Sequence, residues 1–184
     1  MVRVTAPGRG GIIGNPSDIY GGTVVSCTIG ERADATVASS PVLIFDIYGQ
    51  YQVIDTPDKL AYDPDLHYLD VAKAVWRYLR TSEYAEKGLI DPGATFHVRA
   101  QSNIPLMSGC AGSTAMLLVI LAGILAHFDV ELPRHELAEL AKLGLDRAQH
   151  LPHFGAALFQ RQRAKAHLQG RKRGQQRGGP RQRD

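Results

Sequence analysis

A loop rich in small residues lies between a predicted strand and a strongly apolar segment. The loop at 102–115 reads Ser-Asn-Ile-Pro-Leu-Met-Ser-Gly-Cys-Ala-Gly-Ser-Thr-Ala, between a predicted strand at 95–101 and an apolar run at 116–126. A loop that opens a helix leaves backbone N–H groups without partners inside the helix, and the helix dipole adds partial positive charge there. The group that such a position binds best is a phosphate.

Several side chains in the loop suit this chemistry. Gly109, Ala111 and Gly112 allow the backbone to approach a ligand, and Ser113 and Thr114 offer hydroxyls to a phosphate oxygen or a magnesium ion. The same residues are also typical of an ordinary loop that ends in a helix N-cap, so both interpretations stay open. The loop lacks the Gly-Lys-Ser/Thr ending of a Walker A motif and the G-x-G-x-x-G of a dinucleotide site.

The N-terminal segment carries a second motif. It reads Ala-Pro-Gly-Arg at 6–9, Gly-Gly-Ile-Ile-Gly at 10–14 and Asn-Pro-Ser-Asp-Ile-Tyr-Gly-Gly at 15–22. This segment resembles the first signature of the GHMP kinases, the family of galactokinase, homoserine kinase, mevalonate kinase and phosphomevalonate kinase. The loop at 105–115 resembles the second signature, and the two occur in the family's order. The resemblance covers residues 2–143.

Two variations in these signatures indicate a branch of the family. The Gly-Asn-Pro-Ser-Asp at 14–18 replaces the Gly-Glu-His-Thr-Asp of galactokinases, and the loop reads Gly-Cys-Ala-Gly-Ser-Thr-Ala at 109–115. Both variants resemble the glucuronokinase-like branch, from which the chain departs at Cys110 and Thr114. A thiol at Cys110 suits an apolar slot, and Thr114 keeps the hydroxyl of the usual serine.

The resemblance implies an ATP- and Mg²⁺-dependent transfer of a phosphoryl group to the hydroxyl of a small acceptor, of sugar or uronic-acid type. Ser113 corresponds to the serine that helps to hold magnesium. The residues implied to bind the nucleotide are Pro105, Ser108, Gly109, Cys110, Ala111, Gly112, Ser113, Thr114 and Ala115.

The acceptor site is implied at the N-terminal motif. Arg9 is the implied catalytic residue there, and the implied substrate-binding residues are Asn15, Ser17, Asp18 and Tyr20. Asp18 is also an ordinary turn residue, and Tyr20 would equally cover the core. Asp146, in a Leu-Asp-Arg-Ala-Gln stretch, is the candidate catalytic base, with a solvated carboxylate at a helix end as the alternative.

The chain is shorter than the family's full-length members, and the third glycine-rich signature has no counterpart in it. We therefore expect an N-terminal half whose C-terminal half is missing, with weak or no turnover. Two other classes stay open: a non-catalytic nucleotide-binding module, and a nucleic-acid-associated protein that acts through its tail. A homodimer is compatible with each of these.

Basic residues are concentrated at the C-terminal end. Residues 161–184 contain nine of the 21 Lys and Arg with one acid, whereas the remainder contains twelve basic and seventeen acidic residues. This composition predicts a kinase-like N-terminal domain at 1–150 and a disordered basic tail at 151–184. The basic segment at 161–184 attracts nucleic acid phosphates but has no aromatic residues for stacking, so nucleic acid is not the expected main partner. Out-of-frame translation after a truncating mutation is the interpretation that we favour.

No secretory or transmembrane segment is predicted. The chain opens with a charged, strand-like segment at 1–5, and the uncharged stretch at 104–126 begins with Pro, Gly, Ser and Thr, so its solid apolar part is too short to span a bilayer. Two cysteines far apart suggest neither a disulfide framework nor a metal site. We expect a cytoplasmic protein without a membrane partner.

The elements that position these motifs follow from hydrophobic patterning. We predict strands at 2–6, 23–29, 34–39, 42–47, 51–54 and 95–101, and helices at 66–80, 115–128 and 133–142. Gly49-Gln50 indicates a hairpin, and Trp76 on an apolar stripe is expected in the core. Strands first, with helices on one side, predict an α+β fold in the form of an open two-layer sandwich. The family resemblance implies the same architecture.

Overall fold

The computed structural model describes residues 1–14, 21–105 and 108–149. The elements are β1 (Val2–Ile13), β2 (Val25–Ser39), β3 (Ile44–Ile47), β4 (Gln50–Val53), α1 (Asp70–Leu79), α2 (Glu83–Glu86), β5 (Phe96–Ser102), α3 (Gly112–His127) and α4 (Arg134–Gln149). Two short 3₁₀ segments, Pro57–Leu60 and Pro64–Leu69, precede α1. The chain divides into two compact units, Met1–Leu145 and Asp146–Asp184, and the first contains the sheet. The predicted domain boundary at residue 150 and the predicted tail fall on or beyond the end of the described residues.

The strands form one five-stranded mixed sheet in the order β1-β2-β5-β3-β4. All neighbouring strands are antiparallel except β3 and β5, which run parallel, with Phe45 beside Val98 and Ile47 beside Ala100. Since β3 and β5 point the same way, their carboxyl ends meet at one edge of the sheet. The loop that leads to α3 begins at this edge.

Alternation along the strands separates a buried face from an exposed face. Ala33, Ala35 and Val37 of β2 are fully buried, as are Phe96 and Val98 of β5. The alternate residues of the strands point to the opposite face of the sheet. On that face Arg99 Nε of β5 lies 3.4 Å from Asp46 Oδ2 of β3. Among the described residues α3 packs on the buried face, against β1, β2 and β5, so the predicted two-layer α+β architecture is confirmed.

The first two strands are longer than predicted. The predicted strands at 23–29 and 34–39 are parts of the single strand β2, and β1 continues from the predicted 2–6 to Ile13. Beyond Pro7 the two strands form a ribbon with exposed apolar residues, including Ile12 and Ile13. Backbone pairing sustains these strands where the side-chain alternation that signals a half-buried strand has ended.

α3 is apolar around its whole circumference and is buried accordingly. It packs on β1, β2 and β5 and also contacts α1. Gly123 lets α3 lie close to β2, since a Cβ there would lie 3.0 Å from Val37 Cγ2. Within the described part of the chain, no helix is long and apolar enough to cross a membrane.

The hairpin predicted around Gly49-Gln50 is confirmed, with Tyr48 and Gly49 as its turn. Ile47 pairs with Gln50, and the φ angles of Tyr48 and Gly49 are 52° and 78°. Two successive positive φ values define the type I′ turn, whose twist matches that of the flanking strands.

The predicted helix at 66–80 is regular only from Asp70 onward, because a 3₁₀ segment takes up its first turn. Trp76 is 1% exposed, which confirms it as a core residue. Its ring meets that of Phe96 edge to face, with centroids 4.8 Å apart. The predicted helix at 133–142 corresponds to the first part of α4, where Leu140 and Ala141 are buried.

Candidate phosphate-binding site

The loop between β5 and α3 has an irregular backbone just before the helix. Gly109 has a φ of 76°, and Ala111, the residue before the helix, lies in the left-handed region at φ 56° and ψ 33°. Gly109 tolerates this conformation because it has no Cβ, whereas Ala111 pays a steric cost. Such strain persists where surrounding contacts fix the backbone, and it is common at ligand-binding turns.

The N-terminus of α3 has no side-chain cap. Ala111 occupies the N-cap position, where it offers no side-chain acceptor, and the first turn contains no acidic residue. Its carbonyl accepts the first helical hydrogen bond from Ala115 at 2.9 Å. The first N–H groups and the positive end of the helix dipole therefore lie open to an anion. Ser113 is exposed and Thr114 half-buried on this first turn.

Local hydrogen bonds shape the described parts of the loop. Ser108 Oγ donates to the carbonyl of Pro105 at 2.8 Å, and the Ile104 N–H donates to Ser102 Oγ at 3.0 Å. Asn103 and Arg32 exchange two bonds: the Asn103 N–H to the Arg32 carbonyl at 3.1 Å, and the Arg32 N–H to Asn103 Oδ1 at 2.7 Å. These bonds fasten the loop to itself and to β2.

A further bond ties the loop to β1. The Arg9 N–H donates to the Cys110 carbonyl at 2.9 Å, which brings the N-terminal motif against the middle of the loop. The Arg9 side chain is exposed, and its guanidinium forms no ion pair with a described residue. Arg9 and the loop were predicted separately from the sequence, and the structure places them in direct contact.

An aromatic pair lies beside the loop, and the sequence analysis missed it. The rings of Tyr48 and Tyr68 are 5.1 Å apart, and the Tyr48 N–H donates to the Ala100 carbonyl of β5 at 3.0 Å. Burial raises the pKa of Tyr48, and side-chain hydrogen bonding to Ser102 acts against that rise. The Gln50 side chain spans the turn and the 3₁₀ segment, donating to the Asp65 carbonyl at 3.0 Å and accepting from the Tyr68 N–H at 2.9 Å.

Sequence reasoning missed these tyrosines because the contacts join segments that are distant along the chain. The only local signal was the Gly49-Gln50 pair, which indicated a hairpin and not the residues packed beside it.

The structure gives no side-chain positions for the remaining predicted site residues. Asn15, Ser17, Asp18 and Tyr20 lie outside the described residues, and Asp146 lies in the part of α4 at 143–149, of which the structure describes the backbone only. No group of three or more His, Cys, Asp or Glu residues suited to a metal ion occurs in the described portion.

Residues 70–156 match the family model described as "GHMP kinases N terminal domain". The match begins at α1 and includes β5, the loop and α3. No curated protein sequence matches the chain.

Solved structures of several kinases have the same fold. A mevalonate kinase aligns with a TM-score of 0.69 and 15% identity, covering 82% of this chain and 48% of its own. Phosphomevalonate kinase of Streptococcus pneumoniae, in complex with phosphomevalonate and AMPPNP, aligns at 0.63 and 16%, covering 79% and 42%. Lactococcus lactis galactokinase complexed with galactose aligns at 0.61 and 20%, covering 79% and 37%.

The fold is that of the N-terminal domain of GHMP kinases, as the family match and the structural neighbours agree. The chain spans about half the length of these solved relatives or less.

Proposed function

We propose that the chain binds ATP by its phosphate groups at the 105–115 loop and is the nucleotide-binding part of a small-molecule kinase. The observation that carries this proposal is the uncapped N-terminus of α3 behind the left-handed Ala111. A buried apolar helix that begins without a cap, after a strained turn, is ready to accept an anion. The family match over the same residues supports a nucleotide as that anion.

The loop residues have distinct roles in this proposal. The N–H groups of the first turn of α3 bind the phosphates. Gly109, where an added Cβ would meet nothing within 4 Å, leaves room for the approach, and Gly112 lets the first turn pack against Ile104. The Ser113 and Thr114 hydroxyls bond phosphate oxygens, and Ser113 also contributes to Mg²⁺. When bound, Mg²⁺ spreads the charge of the phosphoryl group in transit. An exposed hydroxyl without an acidic cluster in the described part suits an ion held mainly by the nucleotide itself.

The acceptor is proposed to bind on the side of the N-terminal motif. The Arg9 N–H contacts the loop at Cys110, so the exposed guanidinium extends from a strand that touches the phosphate site. We assign Arg9 to charge stabilisation, Asn15, Ser17, Asp18 and Tyr20 to the hydroxyls of the acceptor, and Asp146 to its deprotonation. The Asn-Pro-Ser-Asp motif favours a sugar or uronic acid, as in the glucuronokinase-like branch.

Nucleotide binding is tested first. The wild-type chain is titrated with Mg²⁺ and AMPPNP, and binding is measured by calorimetry and by the rise in melting temperature. Both measurements should show saturable binding. Gly112→Val should weaken it, because the added side chain presses on buried Ile104, whose Cγ2 lies 3.4 Å from the Cβ position, and so displaces the first turn of α3. Gly93→Val, at the opposite end of β5, is the matched control and should bind as wild type. Wild-type protein that binds no AMPPNP at millimolar concentration would refute the proposal.

Phosphoryl transfer is tested separately. ADP release is followed with glucuronate, galactose or mevalonate, with Ser113→Ala and Asp18→Ala as variants. Turnover with one acceptor, lost in both variants, supports the kinase and identifies its substrate class. Binding without turnover for any acceptor supports the alternative, a non-catalytic nucleotide-binding module.

A further inference from the structure

Gly8 lies at an irregularity in the β1–β2 pairing. The register shifts between the pairs Pro7–Arg32 and Arg9–Thr28, and β2 has more residues than β1 between them. Such bulges bend a strand and redirect its backbone groups. Gly8 is buried at this point, directly before the residue whose N–H binds the loop.

The backbone conformation at Gly8 does not require glycine, but the neighbouring atoms leave too little space for a side chain. Its φ is not positive, so any residue could adopt its conformation. A Cβ at this position would lie 2.9 Å from Ile29 Cδ1 and 3.0 Å from the Cys110 carbonyl oxygen. The Ile29 side chain can rotate away at little cost. The carbonyl oxygen belongs to the loop backbone and moves only with it.

The Cys110 peptide determines where the anion-binding N–H groups point. Its carbonyl accepts the Arg9 N–H at 2.9 Å, and on either side lie Gly109 and Ala111 with φ angles of 76° and 56°. A displaced carbonyl therefore changes the turn that leads into α3, and the first N–H groups of the helix change direction with it.

We propose that Gly8 is a positioning residue for the phosphate site: its missing side chain lets β1 hold the loop in the anion-binding conformation. The identity of the ligand, a nucleotide, rests on the proposed function. The positioning role itself rests on the distances from the Gly8 Cβ position. A displaced N–H group loses its charge-assisted hydrogen bond to the phosphate, and the loss of one such bond weakens nucleotide affinity about tenfold.

The test compares Gly8→Ala with Gly10→Ala in the full chain. A Cβ at Gly10 would also meet Ile29, at 3.3 Å from Cγ2, but makes no contact with the loop. A third variant, Gly8→Ala with Ile29→Ala, removes the crowding by Ile29 and leaves only the contact with Cys110. The affinity for Mg²⁺-AMPPNP is measured for each, with the melting temperature recorded in parallel.

A second readout follows the loop without nucleotide. In a Cys27→Ser background the rate at which a disulfide reagent modifies the half-buried Cys110 thiol reports the loop conformation. Gly8→Ala should change this rate severalfold, whereas Gly10→Ala should leave it as in the background protein.

We expect affinity to fall about tenfold in Gly8→Ala and in the double variant, but not in Gly10→Ala. Full affinity in the double variant would overturn the inference, because the effect would then come from Ile29 packing. An unchanged thiol rate in Gly8→Ala would overturn it as well. If the wild-type chain binds no nucleotide, the proposed function fails, and the thiol rates alone then uphold or overturn the positioning role.

Discussion

Asp70 and Lys73, one turn apart on α1, are both buried, with 5% and 2% of their surface exposed. Lys73 Nζ donates to the Ala61 carbonyl at 3.1 Å, whereas Asp70 Oδ1 has no hydrogen-bond partner among the described residues. Burial raises the pKa of Asp70 from 3.8 to about 6, although the charge of Lys73 opposes this rise and Asp63 adds to it. The same burial lowers the pKa of Lys73.

A pH dependence of stability follows from Asp70. The folded state holds this proton more tightly than the unfolded state, so unfolding releases it between about pH 4 and pH 6. The free energy of unfolding should therefore fall as the pH rises through that window, by at most about 3 kcal/mol. Urea denaturation at several pH values measures the effect as wild type minus Asp70→Asn, since the neutral variant lacks it.

The control for this experiment is Asp55→Asn. Asp55 is exposed, and its hydrogen bond to Lys59 lowers its pKa, so its contribution has the opposite sign. A difference between wild type and Asp70→Asn that stays flat from pH 4 to pH 7 would contradict the prediction.

We expect the substitution of Ala111 by glycine to stabilise the fold. Its φ of 56° strains an alanine but not a glycine. Ala111→Gly should raise the free energy of unfolding by about 0.5–1 kcal/mol, the left-handed strain relieved less the extra entropy of glycine in the unfolded chain. Urea denaturation at fixed pH measures it.

Ala115→Gly serves as the comparison for that substitution. Ala115 is buried in the first turn of α3, where glycine should lower stability. Equal losses in both variants would show that Ala111 bears no backbone strain.

The packing of Phe96 between the sheet and the helices should contribute strongly to the free energy of unfolding. It is fully buried, and its ring meets those of Trp76 and Phe128 with centroids 4.8 and 5.9 Å apart. Phe96→Ala should lower the free energy of unfolding by about 3–5 kcal/mol. The emission of Trp76, the single tryptophan in the sequence, reports the unfolding transition directly.

Tyr51→Ala is the surface control for Phe96→Ala, since Tyr51 is 56% exposed. Its effect should stay within about 0.5 kcal/mol. A loss below about 1 kcal/mol for Phe96→Ala would mean that the aromatic cluster contributes little.

The sequence predicted the parts of the fold that local pattern determines. Alternation marked β5 and the inner half of β2, an unbroken apolar run marked α3, and Gly49-Gln50 marked the hairpin, whose turn residues are Tyr48 and Gly49. The continuity of β2 was not predictable in this way. Its outer half is exposed on both faces, and only pairing with β1 keeps it extended.

The site was predictable in its chemistry and less so in its assembly. The glycines and hydroxyls of the loop indicated a phosphate site, and the structure gives that loop an uncapped helix N-terminus. The contact between Arg9 and Cys110 joins residues far apart in sequence, so no local rule indicates it. The roles assigned to Asn15, Ser17, Asp18, Tyr20 and Asp146 remain predictions.

The strand order imposes a sequence of events on folding. β1 and β2 close as one hairpin and β3 and β4 as another, yet β5, the last of the strands at 1–149, lies between the two. Until β5 has been synthesised, β2 and β3 each expose an unpaired edge, which is the surface through which nascent chains aggregate. Completion of the sheet thus waits for Phe96–Ser102, and the strand that ends at the phosphate loop is also the one that joins the two hairpins.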